Sequence, residues 1–231
     1  MVLGIETATY AGGIAVLDDT QGMRATYYLA TSLTHSERLM SSIEHMFSKA
    51  GIVVADIDAI GVSTGPGSFT GIRIGMSVAK AMAYAANKPL IAISTLESIA
   101  YRYFESGHLV CPLIDARRSE VYAALFNVND DVTTLEQIGD SKVLKPETLL
   151  DTIDRITVFS GTGAIRYRDL IISRLGDMAR FAPPHRILPS PEEVAFLALH
   201  RFLKGDIADP ATLEPYYIRD SDAEIKRSRG E

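Results

Sequence analysis

The sequence is short of several things, and each shortage removes a class of function. It holds a single cysteine and no tryptophan in 231 residues. One cysteine cannot close an intrachain disulfide, which fits a reducing compartment and predicts a cytoplasmic protein. Cys111 lies in the run Leu109-Val110-Cys111-Pro112-Leu113-Ile114, the setting of a packed core strand and not of a nucleophile. Cations are also scarce: 23 Lys and Arg against 29 Asp and Glu give a net charge of −6. Neutralising phosphates takes clustered Lys and Arg, so this balance argues against a dedicated nucleic-acid binder. The one basic cluster, Lys226-Arg227-Ser228-Arg229, is interleaved with Asp220, Asp222, Glu224 and Glu231 and reads as a frayed terminus. No apolar run approaches the roughly 20 residues of a membrane span. The start, Met1-Val2-Leu3-Gly4-Ile5-Glu6, lacks the basic region and long apolar stretch of a signal peptide and reads as a buried first strand.

What is present is core-forming material, 47% hydrophobic, in an alternating pattern of strands and helices. Residues 2–6, 12–17 and 25–29 read as strands, with Asp18-Asp19-Thr20-Gln21-Gly22 as a turn between the second and third. A helix is predicted over 36–50, where Leu39, Ile43, Met46, Phe47 and Ala50 recur at helical spacing and Gly51 stops it. A strand over 57–62, a helix over 70–86, a strand over 89–93 and a helix from Thr95 follow. The series then repeats: strands over 110–114, 120–127 and 132–138, a helix over 146–153, a strand over 156–160, a helix to about 174 and a last helix over 191–203. Two halves are expected, 1–106 and 107–231, joined near Gly107 without a Ser/Gly linker and packed as one body. A three-strand meander opening each half is the layout of the actin/sugar-kinase/Hsp70 superfamily, an α/β fold of two pseudo-duplicated halves.

The densest signal is Ser63-Thr64-Gly65-Pro66-Gly67-Ser68-Phe69-Thr70-Gly71-Ile72-Arg73-Ile74-Gly75, where a strand feeds a glycine turn and a helix N-terminus. Gly65 and Gly67 permit a tight turn and close approach. Ser68 and Thr70 are both candidate caps. Such a helix end suits a phosphate or carboxylate, and it serves equally as plain turn-and-cap geometry. It is neither a P-loop nor a dinucleotide fingerprint. Gly71, Gly75, Ala79 and Ala83 form a small-residue stripe suited to close packing, on the chain's own sheet or on a partner.

These residues carry a resemblance to the TsaB (YeaZ) family of bacterial tRNA N6-threonylcarbamoyladenosine synthesis. The matching blocks are Gly4-Ile5-Glu6-Thr7-Ala8, His35-Ser36-Glu37-Arg38-Leu39, the string from Gly65 to Gly75, 88–97, Asp115-Ala116-Arg117-Arg118-Ser119-Glu120-Val121-Tyr122 and Leu213-Glu214-Pro215-Tyr216-Tyr217-Ile218-Arg219. Glu6 departs from the Asp of many such chains. The resemblance implies a non-catalytic scaffold that works with TsaD-like and TsaE-like proteins, reaches tRNA only through that complex, and pairs with itself when alone. It implies that the helices over 36–50 and 70–86 form the partner face, with His35, Leu39, Ile43, Met46, Phe47, Arg73, Met76, Ser77 and Lys80 as candidate contacts. The relatives' metal motif, His-x-Glu-Gly-His, falls here on Thr95 to Ile99, so neither histidine is present and no metal is expected. A vestigial nucleotide cleft is implied at Glu6, Thr7, Gly65, Gly67, Ser68, Gly161 and Gly163. No cofactor of the chain's own is expected, and ATP or ADP at an interface with partners stays open.

Rival readings remain at this point. A kinase-like enzyme on the same fold needs tight nucleotide binding and a carboxylate base. A peptidase needs His35 as base with Ser36 or Ser68 as nucleophile, and nothing in the sequence places a carboxylate to orient His35. Arg117 and Arg118 either hold a phosphate or pair with Asp115 and Glu120 to fix a turn.

Overall fold

In the structure, a computed structural model, residues 1–31, 35–128 and 135–219 are described. The first sheet is built from β1 (Val2–Glu6), β2 (Ala11–Asp18), β3 (Gly22–Ala30), β4 (Ala59–Gly65) and β5 (Leu90–Ser94), with α1 (His35–Ala50), α2 (Phe69–Ala86) and α3 (Thr95–Tyr101) between and after them. The second holds β6 (Leu109–Asp115), β7 (Val121–Val128), β8 (Leu135–Leu144), β9 (Thr157–Ser160) and β10 (Ala179–Phe181). Its helices are α4 (Pro146–Leu150), α5 (Thr162–Arg166), α6 (Arg168–Leu175) and α7 (Pro191–Leu203). Strand orders are β3-β2-β1-β4-β5 and β10-β9-β6-β7-β8, one plan used twice. In both, an antiparallel meander continues into parallel strands. This is the actin/sugar-kinase/Hsp70-like architecture.

β1 is buried along its whole length because helices cover both faces of its sheet. Leu3 and Ile5 pack with Ile43, Phe47, Ile72 and Met76 of α1 and α2, whereas Val2 packs with Val194 and Ala198 of α7. Two glycines let α7 come this close. A Cβ on Gly4 would stand 2.5 Å from the Ala195 nitrogen, and one on Gly61 2.4 Å from the Ala198 Cβ. The sheets divide between β5 and β6, yet α7, from the second half of the sequence, covers the first sheet. The halves are interlocked.

Several expected boundaries move. The helix predicted over 146–153 ends at Leu150, and the helix expected to run to 174 breaks at Tyr167 into α5 and α6. β10 has three residues, too few to leave a periodic signal. β8 extends to Leu144 as a polar edge strand, and positions 132–134 of the predicted strand lie outside the described residues. Among the described residues no helix is long and apolar enough to cross a membrane.

Candidate functional site

The turn after β1 is locked between β4 and α2. Glu6 is wholly buried; the Ala8 N–H donates to its Oε1 at 2.6 Å and the Ser63 hydroxyl donates to its Oε2. Burial raises this carboxyl to about 7, against the opposing pull of those two hydrogen bonds. The Thr7 hydroxyl donates to the Gly71 carbonyl at 2.8 Å. The small-residue stripe of α2 faces this turn: a Cβ on Gly71 would meet the Thr7 carbonyl oxygen at 2.1 Å, and one on Gly75 the Thr7 Oγ1 at 2.2 Å. Ser68 is the cap of α2, its hydroxyl accepting from the Gly71 N–H at 3.2 Å. Its own N–H donates to the Ala8 carbonyl at 2.7 Å. The glycine string therefore serves close packing.

His35 ties the same turn to α1. Its Nε2 lies 2.7 Å from the Thr9 carbonyl and so carries the proton, which leaves Nδ1 to accept from the Arg38 guanidinium at 3.0 Å. Burial lowers its pKa, and Arg38 adds to that. With both ring nitrogens engaged, His35 is a strut and not a catalytic base.

A cavity of about 630 Å³ separates the two halves. Thr9, Tyr10, Gly67, Ser68 and Phe69 line it from one side, and Asp115, Arg117, Tyr122 and Thr162 from the other. Of the seven residues expected to hold a nucleotide, Gly67 and Ser68 face this cleft. The other five are corrected by the structure. Glu6 and Thr7 are buried and engaged in the turn. Gly65 sits under the C-terminal segment, where a Cβ would meet the Tyr216 carbonyl oxygen at 2.7 Å. Gly161 and Gly163 pack on β6, their added Cβ atoms falling 2.2 Å from the Leu113 oxygen and 2.9 Å from the Leu113 Cβ.

That C-terminal segment, residues 213–219, is a strap between the halves. Lys80 donates to the Leu213 carbonyl at 2.6 Å, the Tyr216 N–H to the Thr64 carbonyl at 2.8 Å, and Arg219 to Glu120 at 2.6 Å. Tyr217 stacks on Phe69 with ring centroids 5.0 Å apart. The Arg219 end grips a tight turn in which Arg117, Arg118 and Ser119 all have left-handed φ values of +61°, +51° and +60°. Asp115 pairs with Arg166 at 2.7 Å and also accepts from the Arg117 backbone N–H at 3.1 Å, and Glu120 pairs with Arg219. The sequence contained the block 213–219 but no local signal of where it docks.

A second cavity, about 460 Å³, opens between α1 and α2. Leu39, Met40, Phe69, Arg73, Ile74, Ser77 and Val78 line it. Arg73 and Ser77 are exposed, as expected of a contact face. Ile43, Met46, Phe47 and Met76 are not: they belong to the core of the chain and are unavailable to a partner, and Leu39 offers the groove only its floor. They were the apolar residues at regular spacing, which is the signature of the inward face. Lys80 is half-buried and bound to the strap. The outward signal was Met40, an apolar residue off that period and 47% exposed.

The family model for TsaD, tRNA N6-adenosine threonylcarbamoyltransferase, matches residues 29–227. The tRNA threonylcarbamoyladenosine biosynthesis protein TsaB of Bacillus subtilis (strain 168) is 33% identical over 229 residues, covering 97% of this chain and 96% of its own length. The chain belongs to the TsaB family. A solved structure of YeaZ from Pseudomonas aeruginosa superposes with a TM-score of 0.80 at 27% identity, covering 94% of this TsaB-family chain and 98% of its own. A ROK hexokinase from Thermus thermophilus, at 11% identity and a TM-score of 0.50 over 89% of this chain and 99% of its own, shares the fold alone. In this TsaB-family chain Thr95 and Ile99, the ends of the segment expected to lack a metal motif, are both fully buried.

Proposed function

We propose that this TsaB-family chain is a non-catalytic accessory subunit of tRNA N6-threonylcarbamoyladenosine synthesis in the cytoplasm. It docks a TsaD-type transferase through α1 and α2 and completes a surface for a TsaE-like ATPase. The observation that carries this reading is the open, largely apolar groove between those two helices, whose inward faces are already satisfied by the core. A groove of this kind with one charged side chain suits a protein partner better than a small polar substrate. The metal-motif positions support a non-catalytic role, because a buried Thr and Ile offer no imidazole.

The kinase-like alternative fits less well. A nucleotide held at the turn after β1 needs free acceptors and room, yet the Glu6 oxygens accept from Ala8 and Ser63, and the strap carbonyl of Tyr216 lies against Gly65. The residues present do not fit a magnesium nucleotide at that turn. The peptidase alternative lacks a base, since His35 is engaged on both nitrogens. Light scattering on a sizing column tests the proposal, with the chain alone and mixed with the TsaD-type protein of the same genome. The expected result is a self-paired species alone and a one-to-one heteromer in the mixture. A well-folded chain that forms no heteromer overturns it.

A further inference from the structure

The groove and the cleft share a wall. Phe69 and Thr70 line both. On the groove side of that wall the Arg73 guanidinium carbon lies 3.9 Å from the Phe69 ring centroid, and its Nε donates to the Tyr217 hydroxyl at 2.9 Å. Tyr217 in turn stacks on Phe69 at an interplanar angle of 20°. Arg73 is exposed and, among the described residues, is the one charged side chain in the groove lining, where His35 is neutral. The strap thus fixes a cation on a largely apolar surface.

We propose that Arg73 is the anchor of the docking surface, presenting its two terminal nitrogens to a carboxylate of the TsaD-type partner, and that the strap holds it in position through Tyr217. The proposal rests on the partner reading given above. A free arginine side chain loses rotamer entropy when it is fixed. Here stacking on Phe69 and the Nε bond to Tyr217 fix it before any partner arrives, which lowers the cost of association. The remaining edge of the guanidinium matches a carboxylate bidentately. An arginine braced by aromatic rings and ringed by Leu39, Met40, Ile74 and Val78 is the composition of a binding hot spot.

Charge decides between the occupants. A second copy docking groove to groove about a two-fold axis would bring the same lining, with a single cation and no carboxylate among the described residues. A partner helix carrying an acid between apolar residues complements it. Tyr217 itself lines the cleft, so the strap contributes to the groove by holding Arg73.

The test is titration calorimetry of the full-length chain against its TsaD-type protein, with thermal melts of every variant. Arg73→Ala is expected to weaken binding about 30-fold, and Arg73→Lys to restore little of it, because the ammonium lacks the planar fork. Tyr217→Phe keeps the stack and removes the bond to Nε; it is expected to weaken binding about 5-fold without lowering the melting temperature. In the double variant the Tyr217→Phe effect should vanish, since there is no arginine left to position. If the unaltered chain binds but Tyr217→Phe and Tyr217→Ala stay within two-fold of it, the anchor and strap are wrong while the partner reading stands. The same follows if the two effects multiply in the double variant. If Arg73→Ala abolishes self-pairing and leaves transferase binding unchanged, the occupant is a second copy and the proposal is overturned. An unaltered chain that does not bind removes both readings.

Discussion

The two halves follow one plan and spend it differently. In the first, α1 and α2 have 16 and 18 residues; on the second sheet, α4, α5 and α6 have 5, 5 and 8, the 13-residue α7 having crossed to the first. Both halves place a glycine turn after a parallel strand. Ser68 caps the helix that follows in the first half, whereas Gly161 offers no side chain to cap α5, which ends within a turn and a half. Long helices can bury one face in the core and still present another. A five-residue helix has no second face to present. The duplicated sheet is therefore a common frame, and the groove between two long helices belongs to the first half.

The comparison breaks most sharply at the glycines. Gly71→Ala drives a Cβ to 2.1 Å from the Thr7 carbonyl oxygen, a backbone atom of the turn whose Thr7 hydroxyl is bonded to the Gly71 carbonyl, so α2 must move off the sheet. A loss of about 3 kcal/mol is expected, with the groove disrupted. Gly163→Ala in the second half meets the Leu113 Cβ at 2.9 Å, a contact a short helix can relax, and about 1 kcal/mol is expected. Urea unfolding with linear extrapolation compares the two. Equal losses would mean that the second half is packed as tightly as the first.

The acids at the ends of the first strands sharpen it. Glu6 ends β1 wholly buried and Asp115 ends β6 partly exposed, paired with a half-exposed Arg166. The folded-state pKa of Glu6 is raised from 4.5 to about 7, so the folded protein holds its proton more tightly than the unfolded chain. That contribution is complete below pH 4.5 and is lost as pH rises through 7. Between pH 5.5 and 8.5 the chain should lose about 2 kcal/mol on this account. Glu6→Gln mimics the protonated form and should remove that slope, leaving the variant more stable than the parent at pH 8.5. Urea midpoints across this range decide it, and an unchanged slope in Glu6→Gln would show that the buried proton lies elsewhere. Asp115→Asn breaks a pair with a half-exposed Arg166 while its amide oxygen can still accept from the Arg117 N–H, so its effect on stability should be small beside that of Glu6→Gln.

Regular packing was legible in the sequence, and what crosses between distant segments was not. Leu39, Ile43, Met46 and Phe47 announced α1 by their spacing, and the same spacing meant that they pointed inward, which is why they fail as partner contacts. Gly65, Gly161 and Gly163 marked strand-to-helix turns correctly, but a glycine string does not say whether the close neighbour is a ligand or the chain itself. Here the neighbours are Tyr216 and Leu113. The strap was invisible for a related reason: Tyr217 reaches Phe69 and Arg73 across some 144 positions, and no local periodicity encodes such a contact. Likewise α7 has a clear helical pattern, while its place on the first sheet depends on Gly4 and Gly61, far away in the chain.

The finest contrast lies in left-handed residues. Asn87 closes α2 at φ +51°, and its N–H reaches back to the Ala83 and Tyr84 carbonyls. Asparagine tolerates this region, so Asn87→Gly gains almost nothing once the extra freedom of the unfolded glycine is counted. In the second half Arg117, Arg118 and Ser119 take the region in succession, and each side chain costs roughly 1 kcal/mol there. Ser119→Gly should therefore stabilise the protein, by about 0.5 kcal/mol net. The strap supports this turn, since Arg219 donates both to Glu120 and to the Ala116 carbonyl. If that support is what keeps the turn in its costly conformation, Arg219→Ala should let the turn relax and make Ser119→Gly less stabilising than it is in the parent. Denaturation of the two single variants and the double variant measures that coupling, and additive effects would mean that the turn keeps its shape without the strap.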